Sequence, residues 1–420
     1  MQTKQWKANV ARGLAITAAA LALCALAQGA PRYAVLHSFT GGTDGDGNAG
    51  VTLDQRGNLY GSSLGGGTGG CRGGCGVVFE LSPHRHGSWK ETVLYDFQGG
   101  DDGEGPNAGL VFDGSGDLYG TTQYGGAYRY GTAFELAPGA HGWDETVLHS
   151  FCAQPGDGCD PTAGLVIDRA GNLYGTTPVG GSYMGHGTVF ELTPGSGGWR
   201  EKLLHRFGLR KGDGADPYAG LILDGSGNLY GTTSYGGKSC GDQGCGITYE
   251  LSPVPGGKWK ETILHHFDDI GNDGFWPGSG QLYMDHASNL YGTTVGGGSA
   301  GGWGTVFKLM PSSGGRWKES VLYSFSNGAS GGYPSGGVVM DNGGNLYGLT
   351  ADGGIGCGVL YKLAPSGKGK WTYSVLHAFG QGADGCIPVG NLALDKKGNL
   401  YGGAVLGGKY GYGVVFELTP

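Results

Sequence analysis

Short apolar runs separated by glycine-rich turns define the local structure of this chain, and residues 107–151 show the pattern clearly. Residues 109–113 and 117–122 are rich in strand formers, and the Gly-Ser-Gly between them is typical of a hairpin turn. A glycine-rich loop leads to a third run at 132–136. A Pro/Gly turn leads to a fourth at 143–151, in which Val147, His149 and Phe151 share one face. The pattern predicts four antiparallel strands and no helix.

This four-strand unit repeats along the chain. Its most constant part is Leu-Tyr-Gly, preceded by variants of Asp-x-x-Gly-Asn, and its tyrosines lie 54 to 61 residues apart. The seven tyrosines are Tyr60, Tyr119, Tyr174, Tyr230, Tyr291, Tyr347 and Tyr401. Units of this length suit four-stranded blades and exceed one coil of a β-helix. We therefore predict an all-β fold, a seven-bladed β-propeller of four-stranded antiparallel blades, in which the seven hairpin aspartates make turns.

The two ends of the repeat array complement each other. Residues 33–39 read as a fourth strand without a preceding first, second and third strand, and residues 414–418 read as a third strand without a fourth. Pairing the N-terminal strand with the last blade would close the ring and remove an exposed sheet edge. We predict this closure.

The first residues predict export. Lys4, Lys7 and Arg12 precede an apolar run at 14–26, which is typical of a secretory signal peptide over residues 1–27, with a single propeller domain over 28–420. Lipidation of Cys24 is the alternative, although Leu23 is bulky for that processing site. The run is too short for a convincing membrane span. The exported chain would be periplasmic or extracellular.

The charge and the cysteine content indicate which partners and which compartment suit this protein. The formal net charge is −8, and removal of the signal makes it more negative, which argues against a nucleic-acid partner because no basic stripe is visible. Of the nine cysteines, only Cys24 falls in the signal, and the remaining even number favours disulfides. The repeat alignment suggests the pairs Cys71 with Cys75, Cys152 with Cys159, Cys240 with Cys245, and Cys357 with Cys386.

The repeat phrase resembles a known family. Residues 171–177, 187–192 and Trp199 show it together, and the whole chain after the signal follows the same pattern. It closely resembles the Gloeo/Verruco repeat of choice-of-anchor tandem repeat proteins. The resemblance implies an exported, propeller-like protein of unassigned activity. The chain stops at Pro420 with no sorting tail, so surface attachment is not implied.

Candidate functional residues lie in the long loops between strands two and three and between strands four and one, which share one face of a propeller. The second set carries repeated Asp-Gly pairs, with the aspartates Asp46, Asp102, Asp157, Asp213, Asp273 and Asp384. Their six carboxylates could bind Ca²⁺ or a polar ligand. Asp-Gly is also a common turn pair, and we favour the turn interpretation.

Departures from the repeat indicate where an asymmetric site would lie. Gln281 and Asn391 replace glycine at the start of the innermost strand, where their amides could orient a ligand or bind channel water. Phe275, Trp276 and Trp303 lie in the loops of the fifth blade. Flat aromatic rings suit sugar or peptide surfaces, although they could also fill space left by glycines.

No nucleophile, base and orienter set accompanies these residues. The sequence therefore favours a non-catalytic, monomeric, exported propeller that binds glycan or protein on its long-loop face, without a cofactor unless Ca²⁺ binds. One alternative is a carbohydrate-active hydrolase or lyase that uses loop aspartates such as Asp213 and Asp273 as acid and base. A third hypothesis is a structural role in the cell envelope.

Overall fold

The computed structural model of the protein describes residues 30–47, 50–140, 142–181, 185–278, 280–380 and 382–420. The expected signal peptide, residues 1–27, lies outside these ranges. Strands dominate, and the described helices are four short 3₁₀ turns, Arg85–Gly87, Gly100–Asp102, Ser313–Gly315 and Gly328–Ser330. None of the described helices is long and apolar enough to cross a membrane.

Seven antiparallel sheets of four strands form the predicted propeller, and we number the strands of each blade 1 to 4 from the axis outward. Blade 1 consists of Val51–Leu53, Leu59–Ser63, Val77–Pro83 and Trp89–Asp96; blade 2 of Val111–Phe112, Leu118–Tyr124, Thr132–Gly139 and Gly142–Ser150; blade 3 of Val166–Ile167, Leu173–Thr177, Thr188–Thr193 and Arg200–Arg206; blade 4 of Ile222–Leu223, Leu229–Thr233, Ile247–Val254 and Lys258–His266; blade 5 of Tyr283–Met284, Leu290–Thr294, Thr305–Ser312 and Arg316–Ser324; blade 6 of Val339–Met340, Leu346–Asp352, Val359–Gly367 and Lys370–Ala378; and blade 7 of Cys386–Leu394, Leu400–Leu406, Val414–Thr419 and Arg32–Ser38.

Short segments extend the blades on the long-loop face. They are Glu104–Pro106, Gly158–Cys159, Gly214–Ala215, Gly274–Phe275 and Gly332–Pro334. Two of them pair with the end of strand 2, and the other three pair with Val179–Gly180, Tyr235–Gly236 and Gly296–Gly297. The connection from strand 4 to the next strand 1 therefore runs beside the loop that follows strand 2.

The predicted ring closure is confirmed. Arg32–Ser38 pairs antiparallel with Val414–Thr419, from Arg32 opposite Thr419 to Ser38 opposite Val414. The N-terminal strand thus supplies strand 4 of the last blade. Val414–Thr419 therefore has a paired strand on both sides, and Arg32–Ser38 forms the outer edge of this blade as strand 4 does in the others.

The Leu-Tyr-Gly phrase is a packing device. A side chain at Gly120 would lie 2.6 Å from the Phe134 ring, so only glycine lets strand 2 approach that aromatic residue. Tyr119 packs edge-on against Trp199 of the next blade, with ring centroids 6.0 Å apart. Trp89, Trp259 and Trp317 make the same contact with the repeat tyrosine of the preceding blade, so these tryptophans pack between blades.

The hairpin aspartates make turns. Asp168 Oδ1 accepts hydrogen bonds from the backbone amides of Ala170 and Asn172 at 2.8 and 2.9 Å, and Asp168 Oδ2 accepts one from the Tyr174 hydroxyl at 3.0 Å. Corresponding aspartates accept the same backbone bonds in the other repeats. The turn interpretation of these residues is confirmed.

All four predicted disulfides are present: Cys71–Cys75, Cys152–Cys159, Cys240–Cys245 and Cys357–Cys386. The first three close short loops. Cys357 and Cys386 belong to the loop of blade 6 and the first strand of blade 7, so this bond joins neighbouring blades. Four disulfides are typical of a protein that folds in an oxidising compartment.

Candidate functional site

A ring of seven backbone positions surrounds the axis on the long-loop face. We call it the rim ring: Gly47, Gly105, Asp160, Asp216, Trp276, Tyr333 and Ile387. Each has a left-handed φ between 49° and 68°. Each backbone N–H donates to a carbonyl of the preceding blade's loop, at 2.6 to 3.1 Å. The acceptors are Tyr412, Cys75, Tyr130, His186, Cys245, Trp303 and Cys357.

The rim ring places side chains at an energetic cost. A left-handed φ costs an L-residue roughly 1–2 kcal/mol, whereas glycine adopts it freely. Gly47 and Gly105 show what the scaffold accepts without strain. The other five positions carry side chains in spite of that cost, and strained non-glycine residues are concentrated at functional sites. The rim ring is therefore the candidate functional site.

Aromatic rings occupy the rim ring in blades 5 and 6. The Trp276 side chain is 40% exposed and lies edge-on to Phe275 and Tyr235, with centroids 4.9 and 6.2 Å away. The Tyr333 ring is 39% exposed and meets the Trp303 ring edge-on at 4.9 Å. Trp276 and Trp303, singled out from the sequence, thus lie on neighbouring parts of the rim. Phe275 and Trp303 are partly buried beneath the exposed rings.

Acidic side chains occupy the rim ring in blades 3 and 4. Burial raises the pKa of Asp160 above its ordinary range. Burial also raises the pKa of Asp216, and the opposing influence is His186, whose Nδ1 lies 3.6 Å from Asp216 Oδ1. A groove of about 830 Å³ runs past Asp216 and His186, and Arg210, Lys211 and Lys238 also line it. The rim therefore offers hydrogen-bonding groups next to aromatic faces.

The central channel is a cavity of about 520 Å³, lined by the starts of the innermost strands of all seven blades. Gln281 and Asn391 both line it, as predicted from their departure from glycine. The Gln281 Nε2 group donates to the Leu221 carbonyl of blade 4, and Asn391 Oδ1 accepts from the Gly337 amide of blade 6 at 3.0 Å. One end of each amide therefore joins two blades.

The Asp-Gly aspartates hold the turns and also bind strand 4. Asp157 Oδ1 accepts from the Gly158 amide at 2.7 Å, and Asp157 Oδ2 lies 3.5 Å from His149 Nε2. Asp102 accepts from the Tyr95 hydroxyl at 2.7 Å. The same His–Asp pairing recurs at 3.4 Å for Asp213, 3.0 Å for Asp273 and 3.2 Å for Asp384. Each of these carboxylates thus belongs to its own blade.

The first member of this set requires a correction. His37 pairs with Asp44 at 3.3 Å, so Asp44 occupies the position that the sequence alignment gave to Asp46. Asp46 instead accepts from the Gly65 amide at 2.7 Å. The local sequence is Asp-Gly-Asp-Gly, and both registers fit the repeat equally well without the three-dimensional arrangement.

A glutamate from the next blade completes five of these pairs, and we call each set a junction triad. The triads are His37, Asp44 and Glu91; Tyr95, Asp102 and Glu145; His149, Asp157 and Glu201; His205, Asp213 and Glu261; and His265, Asp273 and Glu319. Burial raises the pKa of all five glutamates to about 7. A nearby aspartate contributes in the same direction in every triad. At these five junctions, the buried glutamate therefore meets a second acidic group from the neighbouring blade.

The other two junctions replace the glutamate by tyrosine. Tyr373 stacks on Tyr323 with centroids 4.1 Å apart, and Tyr33 stacks on His377 at 3.8 Å. At the first of these, Ser330 takes the place of the aspartate and interacts with Tyr323. Sequence reasoning missed these glutamates, although each lies four residues before a histidine or tyrosine on the same strand 4.

Comparison with known proteins matches the chain to the Gloeobacter/Verrucomicrobia repeat model over residues 22–241 and 238–420. No curated protein matches significantly. PorZ, an essential bacterial surface component of the type-IX secretion system of Porphyromonas gingivalis, has 16% identity and a TM-score of 0.51, covering 87% of this chain and 46% of that one. An ancestral GH74 enzyme has 10% identity and a TM-score of 0.58, covering 89% and 48%. The chain spans about half the length of these two structures, and the likeness concerns the fold alone.

Proposed function

We propose that this chain, which belongs to the Gloeobacter/Verrucomicrobia repeat family, is an exported, non-catalytic propeller that binds a glycan on its rim ring. The signal sequence and the four disulfides support a periplasmic or extracellular location. The match to solved structures supports the fold and does not select a ligand.

The observation that carries the proposal is the side-chain content of the rim ring. Trp276 and Tyr333 are held in left-handed conformations that glycine would occupy without strain. Their exposed faces suit the apolar patches of sugar rings. Asp160 and Asp216, on the adjacent blades, would accept hydrogen bonds from sugar hydroxyls. This combination of flat rings and acceptors is asymmetric around the axis, as one ligand requires.

The test is binding of purified protein to a glycan array, followed by calorimetry on the strongest ligand. We expect Trp276→Gly with Tyr333→Gly to weaken binding by roughly 10–100-fold, because each stacked ring contributes about 0.5–1.5 kcal/mol. Glycine retains the backbone conformation of the rim. The matched control is Lys368→Gly, since Lys368 also has a left-handed φ of 52° but is exposed in a hairpin on the opposite face.

Two results would contradict the proposal: glycan binding unchanged by the double variant, or no binding to any glycan accompanied by capture of a protein partner. The first would move the site away from the rim. The second would support protein recognition, the other ligand class that suits these rings.

Catalysis is the less well supported alternative. Asp213 Oδ1 accepts from the Gly214 amide at 2.8 Å and lies 3.4 Å from His205, and the Asp213 side chain is only 2% exposed. Asp273 is held in the same way by Gly274 and His265. Polysaccharide turnover abolished by Asp213→Asn or Asp273→Asn would establish the hydrolase or lyase function instead.

A further inference from the structure

Two junction triads bring three metal-ligating side chains together, and both lie outside the rim ring. The first is His149 with Asp157 and Glu201, between blades 2 and 3; the second is His205 with Asp213 and Glu261, between blades 3 and 4. In each triad one ligand atom from every residue lies within 4.8 Å of the other two. The histidine and aspartate come from one blade and its following loop, whereas the glutamate comes from the next blade.

The distances in these triads suit a small tetrahedral ion. Zinc binds histidine nitrogen and carboxylate oxygen at about 2.0–2.2 Å, which places neighbouring ligand atoms about 3.3–3.5 Å apart. His205 Nε2 lies 3.4 Å from Asp213 Oδ1 and 3.7 Å from Glu261 Oε1. The separations at His149 are 3.5 Å to Asp157 and 3.9 Å to Glu201. Each histidine–carboxylate separation therefore lies within a few tenths of an ångström of the tetrahedral value.

Some donor atoms of the triads lack a hydrogen-bond partner, although Asp213 Oδ1 accepts from the Gly214 amide and Asp157 Oδ2 accepts from the Ala153 amide. Asp213 Oδ2 and Glu261 Oε1 are buried with no hydrogen-bond partner among the described residues, and the two side chains are only 2% and 9% exposed. Buried polar groups without partners are costly, and a nearby positive charge stabilises two neighbouring carboxyl groups. Arg210 lies near Glu261, but forms no ion pair with it among the described residues. His149 Nε2 and Glu201 Oε1 are likewise buried without a hydrogen bond.

We propose that these two triads are zinc sites that join blade 2 to blade 3 and blade 3 to blade 4. One imidazole and two carboxylates supply three ligands of kinds that zinc accepts, and a water molecule would supply the fourth. Calcium fits less well, because it takes six to eight oxygen ligands at 2.3–2.6 Å. The amide of Gly158 or Gly214 holds the aspartate in place, as a group beyond the ligands does in metal sites.

One junction of the protein shows which substitution can replace the histidine without disturbing the fold. Tyr95 occupies the histidine position at the junction of blades 1 and 2, where its hydroxyl bonds to Asp102. His149→Tyr and His205→Tyr should therefore keep a hydrogen bond to the aspartate while removing the imidazole ligand. His265→Tyr is the matched control, because among the described residues its triad does not bring three ligand atoms together.

The experiment measures zinc bound by the whole purified protein, after chelator treatment and titration with Zn²⁺, by non-denaturing mass spectrometry and by the thermal midpoint. We expect two equivalents in the wild type and in His265→Tyr, one in His205→Tyr, and none in the His149→Tyr/His205→Tyr double variant. The midpoint should rise with Zn²⁺ in the same order. Glu261→Gln, which removes a donor oxygen while keeping the side chain's size, should also lose one equivalent.

Three outcomes would overturn the proposal. They are a wild type that binds no zinc at micromolar concentration, a double histidine variant that retains both equivalents, and a midpoint that rises with Ca²⁺ but not with Zn²⁺. Should a histidine variant fail to fold, the stoichiometry of Glu261→Gln decides in its place.

Discussion

The strain at the rim ring can be measured by comparing glycine with alanine at one position. Tyr333 has a φ of 54°, and both Tyr333→Gly and Tyr333→Ala remove the ring and its contact with Trp303. The difference in the free energy of unfolding between the two variants therefore reports the cost of the backbone conformation alone. Alanine keeps the left-handed cost of about 1–2 kcal/mol, whereas glycine pays about 0.4–1 kcal/mol more chain entropy on folding. We expect the glycine variant to be more stable by about 1 kcal/mol.

Urea unfolding followed by tryptophan fluorescence measures this difference, since the chain has nine tryptophans. The control is Thr146, an exposed residue in the middle of a strand. There glycine should be less stable than alanine by about 0.5–1 kcal/mol, so the order of the two variants reverses. If glycine is the less stable variant at both positions, Tyr333 is not strained and the argument for selected side chains at the rim is refuted.

Three further predictions concern blade packing. Burial and Asp102 raise the pKa of Glu145 to about 7, so the stability that Glu145 contributes is complete below pH ~4.3 and is lost as the pH rises through 7. In urea unfolding at a series of pH values, Glu145→Gln should reduce this decline of the midpoint. Equal declines in the variant and the wild type would contradict the prediction. Tyr361→Phe should stabilise the protein by about 1–3 kcal/mol in thermal unfolding, since the fully buried Tyr361 hydroxyl has no hydrogen-bond partner among the described residues. A loss of stability would instead show that the hydroxyl makes a hydrogen bond. Replacing Cys357 and Cys386 by serine should lower the free energy of unfolding in denaturant by about 3–4 kcal/mol, because the disulfide closes a segment with a sequence separation of 29. A decrease below about 1 kcal/mol would show that the packing of blades 6 and 7 does not depend on this disulfide.

The fold was predictable because its determinants are local and repeated. Hairpin aspartates such as Asp168, the glycine of Leu-Tyr-Gly and the alternation of strand 4 act within one blade, so each repeat reports them again. Ring closure followed from counting strands at the two ends. The disulfides followed from placing cysteines in equivalent loops, where short separations leave few partners.

The rim ring was not predictable from the same signals. Asp160, Asp216, Tyr333 and Ile387 each precede a proline, which ordinarily disfavours the α region and favours an extended conformation. The structure gives them a positive φ instead, because their N–H groups bond to carbonyls of the preceding blade. Only the tertiary contact between two blades reveals that conformation. One position did indicate a positive φ from the sequence, since glycine (Gly105) precedes proline (Pro106) there.

The junction triads were missed for a related reason. The spacing of four residues places each glutamate and its histidine on one face of strand 4, but the two act at different junctions. Glu201 faces His149 of the blade before it, and His205 on the same strand as Glu201 faces Glu261 of the blade after it. A repeat considered in isolation joins the wrong partners, because each triad spans the boundary between two repeats.

The proposed zinc sites and the side chains of the rim ring are both distributed unevenly around the propeller. Both triads that bring three metal-ligating side chains together lie between blades 2 and 4, and the rim positions in blades 3 to 6 carry Asp160, Asp216, Trp276 and Tyr333. Strained side chains persist only where the surrounding structure over-determines them. A clamp across blades 2, 3 and 4 would fix the seam that holds Asp160 and Asp216. Zinc removal should therefore loosen the acidic half of the rim before the aromatic half, which hydrogen exchange at the two sets of loops would distinguish.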